Sequence, residues 1–185
     1  VALATEGIQP PGGAWPPQQA RPDGRRFTSD TGECVWDLTD KNRGVVTVNA
    51  PRSKAVIGFG GGQRFDLGGV LIEPGSGLQD GWSALTLTAM DAAPAAPSKW
   101  LITATSRAEN TGQQWKTAEK NSVGRNWGTA PSRVEGVSAR VTLPHPAARV
   151  EAWSLDERGH RKQKLSVATS ANGQAVLELG PQWQT

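Results

Sequence analysis

Gly44-Val45-Val46-Thr47-Val48-Asn49-Ala50-Pro51-Arg52-Ser53-Lys54-Ala55-Val56-Ile57-Gly58-Phe59 is the stretch that decides the fold. It holds two apolar runs of period two, with the breaker Pro51 between them. β-Branched residues lose rotamer freedom in a helix but suit a pleated, half-buried surface. Both runs therefore read as strands.

The same rhythm continues outward. It recurs at Gly69-Val70-Leu71-Ile72-Glu73, from Trp82 to Met90, from Lys99 to Thr105, and from Val137 to Leu143. It returns at Ala148 to Leu155, Lys164 to Ala168 and Gln174 to Leu179. Gly, Pro, Asn or Asp bounds each run, and Asp156-Glu157-Arg158-Gly159 and Ala171-Asn172-Gly173 are turn signals between neighbours. No segment shows helical amphipathicity. The expectation is an all-β, antiparallel β-sandwich of jelly-roll-like type, with about ten strands and no substantial helix.

Residues 1–26 are rich in Pro, Gly and Gln and read as a linker or an extended surface segment, with Trp15 able to pin it down. Residues 27–185 read as a single β-sandwich domain. The ends, Val1-Ala2-Leu3-Ala4 and Gln184-Thr185, suggest a piece cut from a longer polypeptide.

Composition narrows the function classes. The 185 residues carry a net charge of only +3, with basic residues scattered, which argues against nucleic-acid binding. No apolar run approaches the ~18 residues of a membrane span. The single cysteine, Cys34, excludes an internal disulfide and alternates with Trp36, so it is expected to be a small buried hydrophobe.

Eight tryptophans, three phenylalanines and no tyrosine make the aromatic content almost entirely indole. Trp36, Trp100 and Trp153 lie in strand runs and are expected in the core. Trp15 and Trp183, near the ends, suit a domain junction. Trp82, Trp115 and Trp127 sit among polar residues. The last two fall in residues 106–133, where the alternation fails, and a connection of that length is usually functional or disordered. Trp115 and Trp127, with Trp82 in reserve, offer apolar faces to sugar rings. Gln113, Gln114, Arg125 and Asn126 beside them offer planar donors and acceptors for hydroxyls.

Catalytic patterns are weak. His145 and His160 lie by turns, and there is no G-x-S-x-G elbow, zinc spacing, P-loop or dinucleotide fingerprint. Nothing pairs Glu33, Glu73, Glu109, Glu135 and Glu151 as a glycosidase would require, and they read as solvated surface acids. No cofactor is expected. Asp37-Leu38-Thr39-Asp40-Lys41-Asn42 reads as a polar turn, with a structural calcium as the minority reading.

Two segments carry a family resemblance. One is Thr28-Ser29-Asp30-Thr31-Gly32-Glu33-Cys34-Val35-Trp36-Asp37 followed by Gly44 to Gly58. The other is Ala108-Glu109-Asn110-Thr111-Gly112-Gln113-Gln114-Trp115 followed by Val150-Glu151-Ala152-Trp153-Ser154-Leu155-Asp156 and Gly159. Across about residues 15–185, the chain resembles the C-terminal β-sandwich module of large secreted bacterial glycoside hydrolases. The resemblance implies a secreted, extracellular ancillary domain covalently linked to a catalytic domain. It brings no catalytic residue with it. The two turns, Ser29-Asp30-Thr31-Gly32 and Glu109-Asn110-Thr111-Gly112, read as scaffold.

Three functions follow as expectations. The first is a non-catalytic, monomeric carbohydrate-binding module that targets a hydrolase to polysaccharide, a β-glucan or related plant-wall glycan. The second is a structural sandwich that packs on its catalytic neighbour without binding sugar. The third, ranked last, is a small jelly-roll glycosidase or lyase. Neither nucleic acid nor membrane is expected as a partner.

Overall fold

The computed structural model describes residues 25–40, 43–76, 79–91 and 99–183; Trp15 and the side chain of Trp183 lie outside the described residues. The decisive stretch forms β3 (Val45–Ala50) and β4 (Ser53–Gly58), paired in register from Val45↔Gly58 to Ala50↔Ser53. Only Pro51 and Arg52 separate the two strands, so the break between the runs is a tight hairpin turn.

All sheets are antiparallel. The larger runs β1 (Arg26–Thr28), β2 (Cys34–Asp37), β3, β4, β7 (Ser83–Ala89) and β8 (Trp100–Thr105) in that spatial order. The second runs β14 (Ala168–Thr169), β15 (Gln174–Leu179), β11 (Ala139–Pro146), β6 (Val70–Pro74) and β5 (Phe65–Leu67). The turn from β5 to β6 is Gly68-Gly69, with φ +70° and +88°; positive φ at both positions suits a two-residue hairpin. Two further hairpins pair β9 (Ala108–Thr111) with β10 (Thr129–Val134), and β12 (Ala152–Leu155) with β13 (Arg161–Leu165).

The core lies between the two large sheets. Val45, Val56, Leu85 and Leu87 meet Leu67, Ile72, Val141 and Leu177 in one apolar cluster. Val56, Ile72, Leu85, Leu87 and Val141 are fully buried, each side chain contributing roughly 1.5–3 kcal/mol by its removal from water. The all-β sandwich architecture agrees with the sequence reading. There are fifteen strands among the described residues; those beyond the expected set are mostly short, or carry no apolar alternation, as in β10.

The aromatic assignments change. Trp36 is 49% exposed and Cys34 is also exposed. Their register explains it: Trp36 pairs with Val46 and Cys34 with Val48, while Val45, one residue away on β3, is the core residue. A period of two puts Trp36 and Cys34 on the face opposite Val45. Trp36 rests instead on Phe27, ring centroids 5.6 Å apart. Trp100 is half-buried against the core. Trp153 is half-buried outside the core cluster, under the cations Arg161 (5.1 Å from its ring centre) and Lys164 (5.7 Å).

Among the described residues no helix is long and apolar enough to cross a membrane.

Candidate functional site

The stretch without alternation is a hairpin carrying a long loop. β9 and β10 pair from Val134↔Ala108 to Thr129↔Thr111 with an irregularity between Thr129 and Ser132, and the loop runs from Gly112 to Gly128. Its backbone is braced rather than open. Gln114 N–H donates to Asn126 C=O (3.1 Å), Lys116 N–H to Ser122 C=O (2.8 Å) and Asn126 N–H to Val123 C=O (2.9 Å). Val123 is buried beneath them.

Asn110 ties the loop to the hairpin. Its Nδ2 donates to Trp127 C=O (2.9 Å), and its Oδ1 accepts from the Ser132 hydroxyl (2.7 Å). Gly128 has φ +70°, and a Cβ there would lie 2.5 Å from Thr111 O and 2.6 Å from Gln113 N. Glycine is therefore required where the loop closes on its own base.

This bracing gives the two loop tryptophans different surroundings. Trp115 is half-buried; its indole N–H donates to Glu109 Oε1 (3.3 Å), and the Arg107 guanidinium sits 5.7 Å from its ring centre. Trp127 is 62% exposed. Arg125 and Asn126 precede it and are exposed, as is Gln114, whose backbone is bonded to Asn126. Gln113 is half-buried, with its N–H on Asn110 C=O (3.1 Å).

Trp82 is half-buried, and its carbonyl lies 2.8 Å from the Ser106 hydroxyl, which is also 2.7 Å from Glu135. Glu109 and Glu135, read from sequence as solvated acids, are thus both engaged. Glu109 is held by the Trp115 N–H and by Arg107 at 3.7 Å, because the hairpin brings these groups onto one side.

An ion-pair network that the sequence reading missed anchors the loop to the sandwich. Asp80 Oδ2 lies 2.7 Å from Arg107 Nη1 and 3.1 Å from Lys120 Nζ. The hydrogen bond from Lys120 is the largest influence holding the Asp80 carboxyl below its usual range; desolvation, next in size, opposes it, and the Arg107 and Lys120 charges add to the lowering. Asp80 and Lys120 both adopt positive φ, +60° and +53°. Forty positions separate them, so no local pattern could announce the pair.

The 37–42 turn is self-contained in its described part. Asp37 Oδ1 accepts from the Thr39 hydroxyl and from the Thr39 N–H (2.9 Å), which lowers its pKa. Lys41 and Asn42 lie outside the described residues. Among the described residues no group of three or more His, Cys, Asp or Glu could hold a metal ion.

The sequence candidates therefore divide. Trp127, Arg125, Asn126 and Gln114 share an exposed, braced surface. Trp115 and Gln113 form part of its support, and Trp82 is half-buried with its carbonyl on the Ser106 hydroxyl. Comparison with family models, curated proteins and solved structures returns no match to this chain.

Proposed function

We propose that this domain is a non-catalytic carbohydrate-binding module, working outside the cell and carrying a linked glycoside hydrolase to polysaccharide. Trp127 is the stacking ring, and Arg125, Asn126 and Gln114 bond the hydroxyls around it. The observation that carries the reading is the 62% exposure of Trp127 on a loop whose backbone is already fixed. An exposed indole on a floppy loop would lose its contact energy to ordering; a braced one keeps it. Trp115 supports the platform and is not itself the contact surface. Affinity electrophoresis of the domain through gels containing soluble β-glucan or other plant-wall glycans tests the proposal. Retardation by at least one glycan, lost in Trp127→Ala, is expected, and free migration through all of them refutes it.

One observation favours the second reading, a structural module packed on its catalytic neighbour. Every residue of β10 is exposed, and Val134 is 68% exposed. A strand open on both faces is a surface that a neighbouring domain can cover. The two readings separate on whether the isolated domain binds glycan.

A further inference from the structure

A large cleft lies away from the 112–128 loop. It measures about 1030 Å³ and opens between β8, the facing strands β11 and β15, and the β12–β13 hairpin, which pairs with neither large sheet. Leu143 and Leu177 line it and also belong to the core cluster, so the cleft reaches down to the core. Trp100 and Trp153 contribute the largest rings to its lining. Ligand sites of small molecules have this apolar character, and their volumes run to roughly 1,000 Å³. Ten of its lining side chains are aliphatic, which suits an alkyl or aryl body better than the hydroxyl rim of a sugar.

The charges lining the cleft are one-sided. Lys99, Arg149 and Arg161 stand against the single carboxylate of Glu151. That carboxylate is already taken: Lys164 Nζ lies 2.6 Å from it and holds its pKa down. Arg149 and Arg161 are exposed, and neither is in ion-pair contact with a carboxylate among the described residues. Arg161 instead lies over the Trp153 ring. The Arg161 charge also helps to lower the Glu151 pKa, but neither guanidinium is in direct contact with that carboxylate. An apolar floor under an excess of positive charge is complementary to a molecule with an apolar body and one anionic end.

From this complementarity we infer that the cleft is a binding site for a small anionic amphiphile, an alkyl or aryl carboxylate, independent of any glycan on the 112–128 loop. The apolar body lies along Trp100, Leu143 and Leu177, and the carboxylate meets Arg149 and Arg161.

Isothermal titration of the whole chain with sodium dodecanoate, kept below its micellar concentration, tests this. Dodecyltrimethylammonium serves as the charge-reversed control. Saturable binding of one dodecanoate per chain is expected, with weaker or no binding of the cation. The Arg149→Gln/Arg161→Gln double variant, altered only at exposed positions, is expected to bind dodecanoate about tenfold or more weakly with its circular dichroism unchanged. Absence of saturable heat, equal affinity for the cationic amphiphile, or an unchanged double variant would each overturn the site. Glycan retardation is read separately and does not depend on the result.

Discussion

The indole N–H of Trp115 donates to the Glu109 carboxylate at 3.3 Å, across the mouth of the loop that carries Trp127. The bond ties Trp115 back to β9, the same strand whose Asn110 holds the Trp127 carbonyl. Arg107 closes the arrangement, 3.7 Å from Glu109 and 2.7 Å from Asp80. Trp115→Phe keeps an aromatic ring and removes the donor. It is expected to lower stability by about 0.5–1.5 kcal/mol, read from denaturant midpoints at constant m. It should leave glycan affinity within a few-fold of wild type.

Asp80 gives the loop an acid limit. Its folded pKa lies below the ordinary value, so the unfolded chain binds the proton more readily. The stabilisation is fully present above the unfolded pKa of about 4 and fades as pH falls through the lower folded value. Thermal unfolding of wild type and Asp80→Asn across roughly pH 2 to 6 should show wild type the more stable at the upper end. The difference should close at the lower end.

Lys54 gives a pH dependence of the same sign in the alkaline range, because there burial disfavours the charged form instead of partners favouring it. It is 9% exposed, and burial, the larger influence on it, pushes its ammonium pKa down; Nζ donates to Asn49 Oδ1 at 2.5 Å. A base with a depressed folded pKa holds fewer protons folded than unfolded, so stability rises as pH climbs through the folded value toward the unfolded value near 10.4. Wild type should gain stability over this alkaline interval relative to Lys54→Met, as chemical denaturation at a series of pH values would show.

Gly128 is the closure of the platform. Alanine there combines a positive φ with a Cβ 2.5 Å from Thr111 O. Gly128→Ala is expected to cost about 1–3 kcal/mol or more and to weaken glycan retardation, through displacement of Trp127 rather than loss of its ring. Amide exchange confined to residues 110–128 would report the displacement.

The strands were legible because Val45, Val56, Leu85 and Val141 obey a period of two that only a pleated sheet satisfies. The turn glycines were legible for the same local reason: Gly159 and Gly173 both adopt positive φ where the turn signals fall. The side of the sheet that each tryptophan faces was not legible. Trp36 alternates as a core residue would, but the register with Val46 sends it outward, and register depends on a partner strand. Strand β10 was invisible because none of its six residues is buried, so it leaves no apolar pattern. The candidate site was half legible. Polar context marked Trp127 as a surface ring, whereas the Asp80, Arg107 and Lys120 ion pairs that support its loop join distant segments. The cleft along Trp100 and Trp153 was hidden because both rings sit in strands that read as core.

The central claim is that Trp127 is the sugar platform and Trp115 its support. Binding isotherms of wild type, Trp127→Ala and Trp115→Phe on the best-retarding glycan test it most directly. Loss of a stacked indole removes roughly 1.5–3 kcal/mol, so Trp127→Ala should bind about ten- to a hundredfold more weakly, with an unchanged fold. Trp115→Phe should stay close to wild type. Equal affinity of wild type and Trp127→Ala, or a larger loss in Trp115→Phe, would contradict the account.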